Sequence, residues 1–535
     1  MKKMLTILTA LCLLVGAMPA ALAVGDVNQG GRLTVGEYIL DTQMANKNPY
    51  VTTGTWNSNL RTLVYDALVY FNPVSGETMP SLAESWSWNA DYTTLTFKLR
   101  EGVQWHDGEA FDADDVVFTY NMIKDTTLDN YGLWNRFESV TGSGGEVTVA
   151  CKEAFPSLLS YIAELYIVPE HIWSQAGNVA EYLNEQPVGT GAFIWRKYTT
   201  GTDIQFDANK SYWNGAPNVD EIIVQMYNSS PNLSLALLKG EVDMTFGTIT
   251  MSNIPELLTK ENAQMQIFAG LANWVVSFNF ENELFSDVAV RKAMCMAIDQ
   301  QSLITKAEYD GVFPVNMAWL PDLFGDMVNE EANAILTYDP EGAKAVLEEA
   351  GYTLGDDGVY QKDGKRLSFT YHNASGAPAQ QMEAGMIQQW LLNIGIEIIP
   401  KLATWAELAT LRQNGKYDLL QNSYAFPADP YAALNSCFHS SMTAPSGEAA
   451  PGLNHFRYRN EELDAILDEV ATETDETRQK ALYDQAQDII ANDYVGLPMY
   501  NQGDHIPYYD GNRIAGWRTD VPVKSVLSLI SVYCL

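Results

Sequence analysis

Hydrophobic residues recur along this chain with two periods, and each period predicts one kind of secondary structure. Apolar and polar positions alternate through 32–40, 95–100 and 274–280, which is the period of a β-strand. Shorter stretches with strand character follow at 203–206, 221–227, 242–246, 367–371 and 396–399. We therefore predict strands along the whole chain, with 274–280 as a central one.

Helical spacing separates these strands. In 59–70, Leu60, Leu63, Val64 and Leu68 recur as a single apolar stripe, which predicts an amphipathic helix. Further helices are predicted at 112–123, 232–239, 287–298, 340–350, 379–394 and 478–493. Strands that alternate with helices favour α/β layers, and a second α/β domain is predicted at about 273–496.

Two local signals sharpen these assignments. Asp112 is placed to cap the helix 112–123, and Asp114 and Asp115 suit its first turn because of the helix dipole. The stretch 358–365 contains Asp363-Gly364, which predicts the turn of a β-hairpin.

The amino terminus has the pattern of a secretory signal peptide. Lys2 and Lys3 precede an apolar run at 4–15, and small residues lead to Ala21-Leu22-Ala23. We expect cleavage near Ala23, with a retained anchor helix as the alternative. A lipoprotein signal is disfavoured because Leu11, not a small residue, precedes Cys12. No later stretch has the apolar length of a membrane span, so we expect a soluble exported protein, periplasmic or associated with the cell surface.

Composition and charge exclude some partners. The 535 residues include 47% hydrophobic residues, as in a folded globular protein. The net charge is −35, and removal of the export segment changes it to −37 because two lysines and no acid are lost. Such a surface repels phosphate groups and anionic lipids, so nucleic acids and membranes are not expected as partners. The length suggests three to four folding units.

Four cysteines remain after the export segment. They are Cys151, Cys295, Cys437 and Cys534, and no two form a C-x-x-C pair. This spacing argues against a zinc site. Export permits disulfides among them in three possible connectivities, and free buried thiols are an equally good interpretation.

The sequence lacks a recognisable catalytic or metal-binding constellation. It contains neither a G-x-S-x-G nor an H-E-x-x-H motif, and the glycine spacing at 358–365 does not fit a P-loop. His106 and Asp107 are neighbours whose side chains point to opposite sides, so we interpret them as turn-stabilising. The acidic residues at 107–115 lack the spacing of a calcium loop. We therefore expect no enzymatic activity, no metal and no cofactor.

Aromatic residues remain as candidate ligand contacts. Trp274 and Trp405 lie near predicted strand or helix ends, whereas Trp390 on its helix is assigned to the core. The segment 424–431, YAFPADPY, contains two prolines and is expected to present Tyr424 and Phe426 at a domain edge.

One long segment carries a family resemblance. Residues 82–118, LAESWSWNADYTTLTFKLREGVQWHDGEAFDADDVVF, resemble the signature region of the extracellular solute-binding proteins of ABC importers, family 5. Further matching segments are PVGTGAF at 187–193, NKSYWNGAP at 209–217, KGEVDM at 239–244, FSDVAVRKAMCMAID at 285–299, the helix 478–493 and GLPMY at 496–500. We expect the signature region itself to be structural.

The resemblance implies a fold and a domain plan. The family has the α/β, bilobed periplasmic-binding-protein fold (type II, cluster C) with an extra inserted domain. By similarity, residues 1–23 form the signal peptide, 31–62, 188–272 and 497–535 a discontinuous lobe I, 63–187 the inserted domain and 273–496 lobe III. Two strands crossing near 270–276 and 494–500 would form the hinge, about which the lobes close on a ligand.

The resemblance also implies a function, with one departure. Family members that hold free peptides have an aspartate four residues before a late-loop proline, which pairs with the α-ammonium of the ligand. Phe426 occupies that position here, and Asp429, directly before Pro430, could serve only in a rearranged loop. A buried ammonium without a carboxylate partner would be costly. The ligand-binding candidates are Trp274, Trp405, Tyr424, Phe426 and Asp429.

Several ligands and roles therefore stay open. A peptide or similar oligomeric nutrient, delivered to the ABC permease membrane subunits, is the main expectation, and an oligosaccharide that stacks on Phe426 and Trp405 is the alternative. A nickel chelate lacks a supporting histidine cluster. A secreted hydrolase with an aromatic-lined cleft is the second alternative, and a sensor that reports to a membrane receptor is a third. The protein is expected to be monomeric.

Overall fold

The structure is a computed structural model of the chain. It describes residues 29–39, 44, 46–50, 59–124, 136–162, 165–247, 249–309, 311–335, 337–375 and 378–535. The predicted export segment lies outside the described residues.

The strands and helices alternate over most of this length. The strands are β1 (Arg32–Tyr38), β2 (Val69–Asn72), β3 (Glu77–Pro80), β4 (Ala83–Trp88), β5 (Thr94–Leu99), β6 (Phe137–Ser143), β7 (Glu146–Cys151), β8 (Phe193–Thr199), β9 (Asp203–Ala208), β10 (Glu221–Tyr227), β11 (Met244–Thr245), β12 (Ala263–Phe268), β13 (Ala272–Phe278), β14 (Thr353–Leu354), β15 (Tyr360–Lys362), β16 (Lys365–Arg366), β17 (Ser368–Ala374), β18 (Glu397–Ala403), β19 (Leu419–Ala425), β20 (Gly496–Asn501), β21 (Asp504–Tyr509), β22 (Ile514–Ala515) and β23 (Tyr533–Cys534). The helices are α1 (Arg61–Val64), α2 (Ala113–Lys124), α3 (Leu158–Ile162), α4 (Glu170–Trp173), α5 (Ser230–Leu238), α6 (Ile254–Leu257), α7 (Val288–Met296), α8 (Gln300–Ala307), α9 (Glu330–Asn333), α10 (Pro340–Glu349), α11 (Pro378–Asn393), α12 (Trp405–Asn414), α13 (Pro430–Phe438), α14 (Glu461–Val470), α15 (Glu476–Asn492) and α16 (Val526–Leu529).

The first large sheet has seven strands in the order β12-β21-β11-β1-β10-β9-β8. Strand β1 pairs in parallel with both β10 and β11. Strands β11 and β12 both pair antiparallel with β21, so β12 runs in the same direction as β1, β10 and β11. The carboxyl ends of these four strands therefore lie at one edge of the sheet.

The second large sheet has five strands in the order β18-β17-β19-β13-β20. Strand β17 pairs in parallel with β18 and β19, whereas β13 pairs antiparallel with β19 and β20. The amino end of β13 therefore lies at the same edge as the carboxyl ends of the other four strands.

Segments between β1 and β8 form a separate layer. It contains a four-stranded antiparallel sheet in the order β4-β5-β7-β6 and the two-stranded hairpin β2-β3. Helix α2 packs on this sheet and begins as predicted, because Asp112 Oδ1 accepts a hydrogen bond from the Asp114 amide at 2.9 Å. The adjacent Asp115 is buried and accepts a bond from Trp105 Nε1 at 3.0 Å.

Most predicted elements are confirmed, and the helix 59–70 is wrong. Helix α1 spans only Arg61–Val64, and a strand begins at Val69. The four predicted apolar residues are all buried, so the stripe was a sound indicator of burial. The helix ends at Tyr65, whose backbone is extended, and the Val64 carbonyl accepts a hydrogen bond from the Gly191 amide at 2.9 Å. Only glycine fits beside this turn, because a Cβ at Gly189 would lie 1.8 Å from the Val64 carbonyl oxygen.

The carboxylate of Asp66, just after this turn, joins three segments that are distant in sequence. Oδ2 accepts hydrogen bonds from Thr190 Oγ1 at 3.0 Å and Trp213 Nε1 at 2.9 Å, and Oδ1 accepts one from the Tyr212 hydroxyl at 3.1 Å. Two of the sequence motifs, at 187–193 and 209–217, therefore meet on one buried side chain. Burial nonetheless raises the pKa of Asp66.

The four cysteines are free thiols in this structure. Cys151, Cys295 and Cys437 are buried, and Cys534 is partly buried. Burial raises the pKa of Cys151 to about 11 and that of Cys437 to about 12, so these two stay protonated at neutral pH. Among the residues described, no helix is long and apolar enough to cross a membrane.

Candidate functional site

Two sheet edges face each other where the chain passes between the two large sheets. Strand β12 of the first sheet ends at Phe268, and β13 of the second sheet begins at Ala272. The edge that holds the carboxyl ends of β1, β10 and β11 therefore lies toward the second sheet. By the same connection, the carboxyl ends of β17, β18 and β19 lie toward the first sheet. Ligands of open α/β sheets bind at such carboxyl edges, so the space between the two edges is the candidate site.

Asn501 clamps the two crossing segments together. Its Nδ2 donates to the Gly270 carbonyl at 2.8 Å and to Asn273 Oδ1 at 2.9 Å, and its Oδ1 accepts from the Gly270 amide at 3.0 Å. Gly270 also packs against Gly503, where a Cβ on it would lie in van der Waals contact, 3.4 Å from the Gly503 Cα. The chain crosses between the sheets at 269–271 and 502–503.

Two of the predicted residues, Trp274 and Trp405, come together at the edge of the second sheet. Their ring centroids are 5.9 Å apart and their planes meet at 63°. Trp274 is buried and its Nε1 donates to Gln502 Oε1 at 2.6 Å, whereas Trp405 is 50% exposed. The hydrogen-bonded Trp274 ring supports the half-exposed indole of Trp405. The exposed surface of Trp405 is suited to contact with a ring or an apolar chain of a ligand.

The position of Trp405 follows from a local capping motif. Thr404 caps α12 through its Oγ1, which accepts from the Glu407 amide at 3.3 Å, while Glu407 Oε2 accepts from the Thr404 amide at 2.7 Å. This reciprocal box fixes the first turn of α12 directly after β18. Trp405 is therefore the first helical residue at the carboxyl edge of the sheet.

Tyr424 lies apart from this pair. It is 1% exposed and stacks on Phe456 with ring centroids 5.1 Å apart. Trp319 meets the same ring edge to face at 6.2 Å. The alternation of β19 directs Tyr424 into the core of the second sheet, and the partly exposed Ser423 is its neighbour on the opposite face.

Phe426 and Asp429 are also buried. The Phe426 amide donates to the Leu271 carbonyl at 2.6 Å, which ties the end of β19 to the crossing segment. Asp429 caps α13, with Oδ1 accepting from the Ala432 amide at 2.9 Å. Burial raises the pKa of Asp429 to about 6, and hydrogen bonds from Ala432, Ser157 and Ser160 lower it in part.

Sequence reasoning missed the polar cluster behind Trp274. The Tyr500 ring lies 6.3 Å from the Trp274 ring, and its hydroxyl donates to Glu383 Oε1 at 2.8 Å. The same hydroxyl lies 3.4 Å from Glu308 Oε1. Burial raises the pKa of both glutamates, and their mutual repulsion adds to it at Glu383. The motif at 496–500 contained Tyr500, but its two acidic partners come from distant helices and carry no sequence signal.

The histidine that the sequence singled out is structural. His106 Nδ1 accepts from the Gly189 amide at 3.3 Å, and Nε2 donates to the Gly191 carbonyl at 2.9 Å. Burial lowers the pKa of His106 to about 4, so it is neutral at neutral pH. Asp107 binds His171 instead, at 2.8 Å. Within the described part of the chain, no group of three or more His, Cys, Asp or Glu residues could hold a metal ion.

The two facing sheet edges, the two segments that connect them and the aromatic pair Trp274 and Trp405 are the features of a two-lobed binding protein. Comparison with known proteins assigns its family. The model described as "Bacterial extracellular solute-binding proteins, family 5 Middle" matches residues 77–444. The chain belongs to this family.

The relatives cover nearly the full length of the chain. An oligopeptide-binding protein, AppA, from Bacillus subtilis is 26% identical over 502 residues, which is 90% of this chain and 88% of the relative. A heme-binding protein A from Haemophilus influenzae is 27% identical over 469 residues, 82% of this chain and 81% of the relative.

Solved structures show the fold. A periplasmic oligopeptide-binding protein from Thermotoga maritima superposes with a TM-score of 0.85 at 23% identity, covering 94% of this chain and 99% of that one. The mannohexaose-bound form of that protein gives a TM-score of 0.79, with 95% and 99% covered. The chain thus has the periplasmic-binding-protein fold that the sequence resemblance implied.

Proposed function

We propose that the chain is the exported solute-binding receptor of an ABC importer. It captures a peptide or similar oligomeric nutrient between the two sheets and delivers it to the permease subunits in the membrane. The observation that carries the proposal is the aromatic pair Trp274 and Trp405 at the carboxyl edge of the second sheet, opposite the carboxyl edge of the first.

The domain plan forms part of the proposal. Lobe I comprises 31–62, 188–272 and 497–535, the inserted domain 63–187, and lobe III 273–496. The seven-stranded sheet lies in lobe I and the four-stranded sheet in the inserted domain, which supports the division. Strands β13, β17, β18 and β19 of the five-stranded sheet belong to lobe III, whereas its edge strand β20 (Gly496–Asn501) continues into the segment 497–535. Residues 1–23 are the export signal, and the mature protein acts as a monomer outside the cytoplasm.

A peptide is the first candidate ligand. The AppA relative is an oligopeptide-binding protein. One solved structure of similar fold is AppA with a nonapeptide. An extended peptide would pack across the exposed surface of Trp405. Its backbone N–H and C=O groups would form hydrogen bonds with polar atoms at the two sheet edges.

An oligosaccharide is the second candidate, favoured by the half-exposed indole of Trp405. Sugar rings stack on such faces. The similar Thermotoga maritima protein has been solved with mannohexaose bound. The burial of Phe426 removes it as a second stacking platform, which leaves the half-exposed Trp405, packed against the buried Trp274, to hold the sugar.

Two alternative functions remain, a secreted hydrolase and a sensor that reports to a membrane receptor. We propose binding without hydrolysis, since Trp274 beside the site is hydrogen-bonded in place and the partly buried His106 lies in a turn of the inserted region. Incubation of the purified protein with candidate peptides and glycans, followed by chromatography, tests this. Hydrolysis of either substrate would overturn the receptor function.

Native mass spectrometry of freshly purified protein is the test of ligand class. The expected result is a bound species whose mass fits a peptide or an oligosaccharide and which is lost on partial unfolding. A Trp405→Ala variant should retain less of it, whereas Trp88→Ala, at a partly exposed tryptophan of the four-stranded sheet, should retain it in full. Equal retention by both variants would contradict the placement of the site.

A further inference from the structure

Glu37 is a buried polar side chain of the first sheet that is only partly hydrogen-bonded. It is the second-last residue of β1 and is 5% exposed. In the parallel pairing with β11, Gly36 lies opposite Thr245, so Glu37 comes level with Phe246, just past the end of β11. It therefore lies at the carboxyl edge that faces the second sheet.

The carboxylate of Glu37 is only half satisfied. Oε1 accepts a hydrogen bond from Asn59 Nδ2 at 3.2 Å. Oε2 is buried and has no hydrogen-bond partner among the residues that the structure describes. The charged neighbour is Lys524, whose Nζ is already bound to Asp504 Oδ1 at 2.8 Å.

Burial makes the ionised form of this side chain expensive. Burial raises the pKa of Glu37 to about 7, although Lys524, Asn59 and the backbone amides of Gly247 and Phe246 each lower it. A buried acceptor without a partner costs stability, and a buried charge costs more. A buried glutamate with an unpaired carboxylate oxygen is suited to bind a hydrogen-bond donor or a cation supplied by a ligand.

Space beside the carboxylate is available. A Cβ built on Gly247 would lie 3.5 Å from Glu37 Oε1 and 3.9 Å from Oε2, and it would meet no other atom within 4 Å. Asn59, Phe246 and Lys524, which surround Glu37, also line a pocket of about 250 Å³ between β2 and the segment 522–527. Gly247 is partly exposed and bears no side chain, so there is room beside the Glu37 carboxylate near the surface at this point.

We propose that Glu37 is the anionic anchor of the ligand site, which binds a cationic group of the solute, an ammonium or a guanidinium, through its free Oε2. The proposal rests on the proposed function, because it takes the ligand to lie between the two sheets. It also places the acidic partner on the first sheet, whereas Phe426 and the helix cap Asp429 leave the loop after β19 without a free carboxylate.

Matched probes separate charge from shape. Calorimetry would compare tetra-alanine that has a free amino terminus with its acetylated form, and an acetylated tetrapeptide containing one lysine with its norleucine analogue. A chitosan tetrasaccharide and the fully acetylated chitin tetrasaccharide supply the same contrast on a sugar. In each pair the cationic member should bind wild-type protein more tightly.

The variants are Glu37→Gln, Gly247→Ala and, as a control at an exposed glutamate of the same sheet region, Glu241→Gln. Glu37→Gln should weaken the cationic probe about tenfold or more and the neutral probe less than about twofold. Gly247→Ala should act in the same direction because its methyl group lies against the carboxylate, and Glu241→Gln should change neither. Thermal unfolding checks that each variant is folded.

The number of protons released on ligand binding distinguishes a ligand contact of Glu37 from a purely structural role, which would release none. Near pH 6 the free Glu37 is mostly protonated, so binding of a cation should release close to one proton, measured from the binding heat in buffers of different ionisation enthalpy. Glu37→Gln should release none.

The outcomes are distinguishable. If no peptide binds, the peptide function fails and the saccharide pair decides the role of Glu37. Equal effects of Glu37→Gln on cationic and neutral probes, as expected for a mere counter-charge to Lys524, would overturn the proposal. So would a wild-type protein that prefers no cationic probe.

Discussion

Trp274 and Trp405 meet edge to face with ring centroids 5.9 Å apart, although one lies on β13 and the other begins the helix after β18. The contact exists because β13 runs antiparallel to its neighbours, which brings its start to the edge where β18 ends. One ring is held by Gln502 at the crossing between the sheets, and the other stands free. Trp405 is therefore connected to the crossing segment at Gln502 through one ring, that of Trp274.

Trp405→Ala is expected to weaken ligand binding more than His106→Ala does. Removal of the half-exposed indole takes away a contact surface without opening the core, so the loss should be about tenfold or more in affinity with little change in unfolding temperature. His106→Ala should lower stability and leave affinity unchanged, because His106 bonds only the 189–191 turn. Calorimetry with the natural ligand measures both, and equal losses of affinity would refute the site.

Asn501→Ala should destabilise the protein by about 2–4 kcal/mol. The substitution leaves the amide and carbonyl of Gly270 and the amide oxygen of Asn273 without their partner at the crossing. Denaturant unfolding measures the loss. Asn393→Ala, at the exposed end of α11, is the control and should cost less than about 1 kcal/mol; a similar cost for both would contradict the clamp.

Asp66→Ala should cost about 3 kcal/mol or more of unfolding free energy. Three donors, from the buried Thr190 and Tyr212 and the partly buried Trp213, lose their common acceptor. Asp220→Ala, at an exposed aspartate of the same region, is the matched control. Denaturant unfolding of both variants tests this, and a neutral Asp66→Ala would show that the three segments are held by apolar packing alone.

The carboxyl pair Glu308 and Glu383 should make stability fall as the pH rises. Both pKa values are raised above the ordinary value of 4.5 by burial, so the native state binds more protons than the unfolded state above that pH. The contribution is therefore fully present below about pH 4.5 and is lost as the pH rises toward the folded-state values, at up to about 1.4 kcal/mol per pH unit for each proton.

Denaturant unfolding of wild type and Glu383→Gln between about pH 5 and pH 8 tests the pair. The variant removes one titrating group from beside Tyr500, so its stability should depend less steeply on pH than that of the wild type. Glu349→Gln, at an exposed glutamate of α10, should keep the wild-type slope. Parallel curves for wild type and Glu383→Gln would show that the pair does not titrate in this range.

The sequence predicted correctly those features that depend on a few neighbouring residues, namely helix caps, a hairpin turn and helix ends. Asp112 caps α2, and Asp363 and Gly364 both have positive φ, at 53° and 78°, in the predicted hairpin. The spacing of 340–350 likewise gives α10, ended by Gly351 with φ 89°. These features depend on neighbours a few residues apart, so the chain contains them without reference to the fold.

Tertiary structure decided what the candidate residues do. Trp405 and Tyr424 were candidates from the sequence, and Asp429 was one only in a rearranged loop. Of the three, Trp405 is half exposed, while Tyr424 packs in the core and Asp429 caps a helix. The sequence by itself determined the family, many of the strands and helices, and the cap Asp112 of α2. The exposure of the candidate side chains, the contacts between the crossing segments and the unpaired oxygen of Glu37 depend on the tertiary structure. The segments involved are far apart in sequence and come together only when the two sheets form, so no local pattern predicts these contacts.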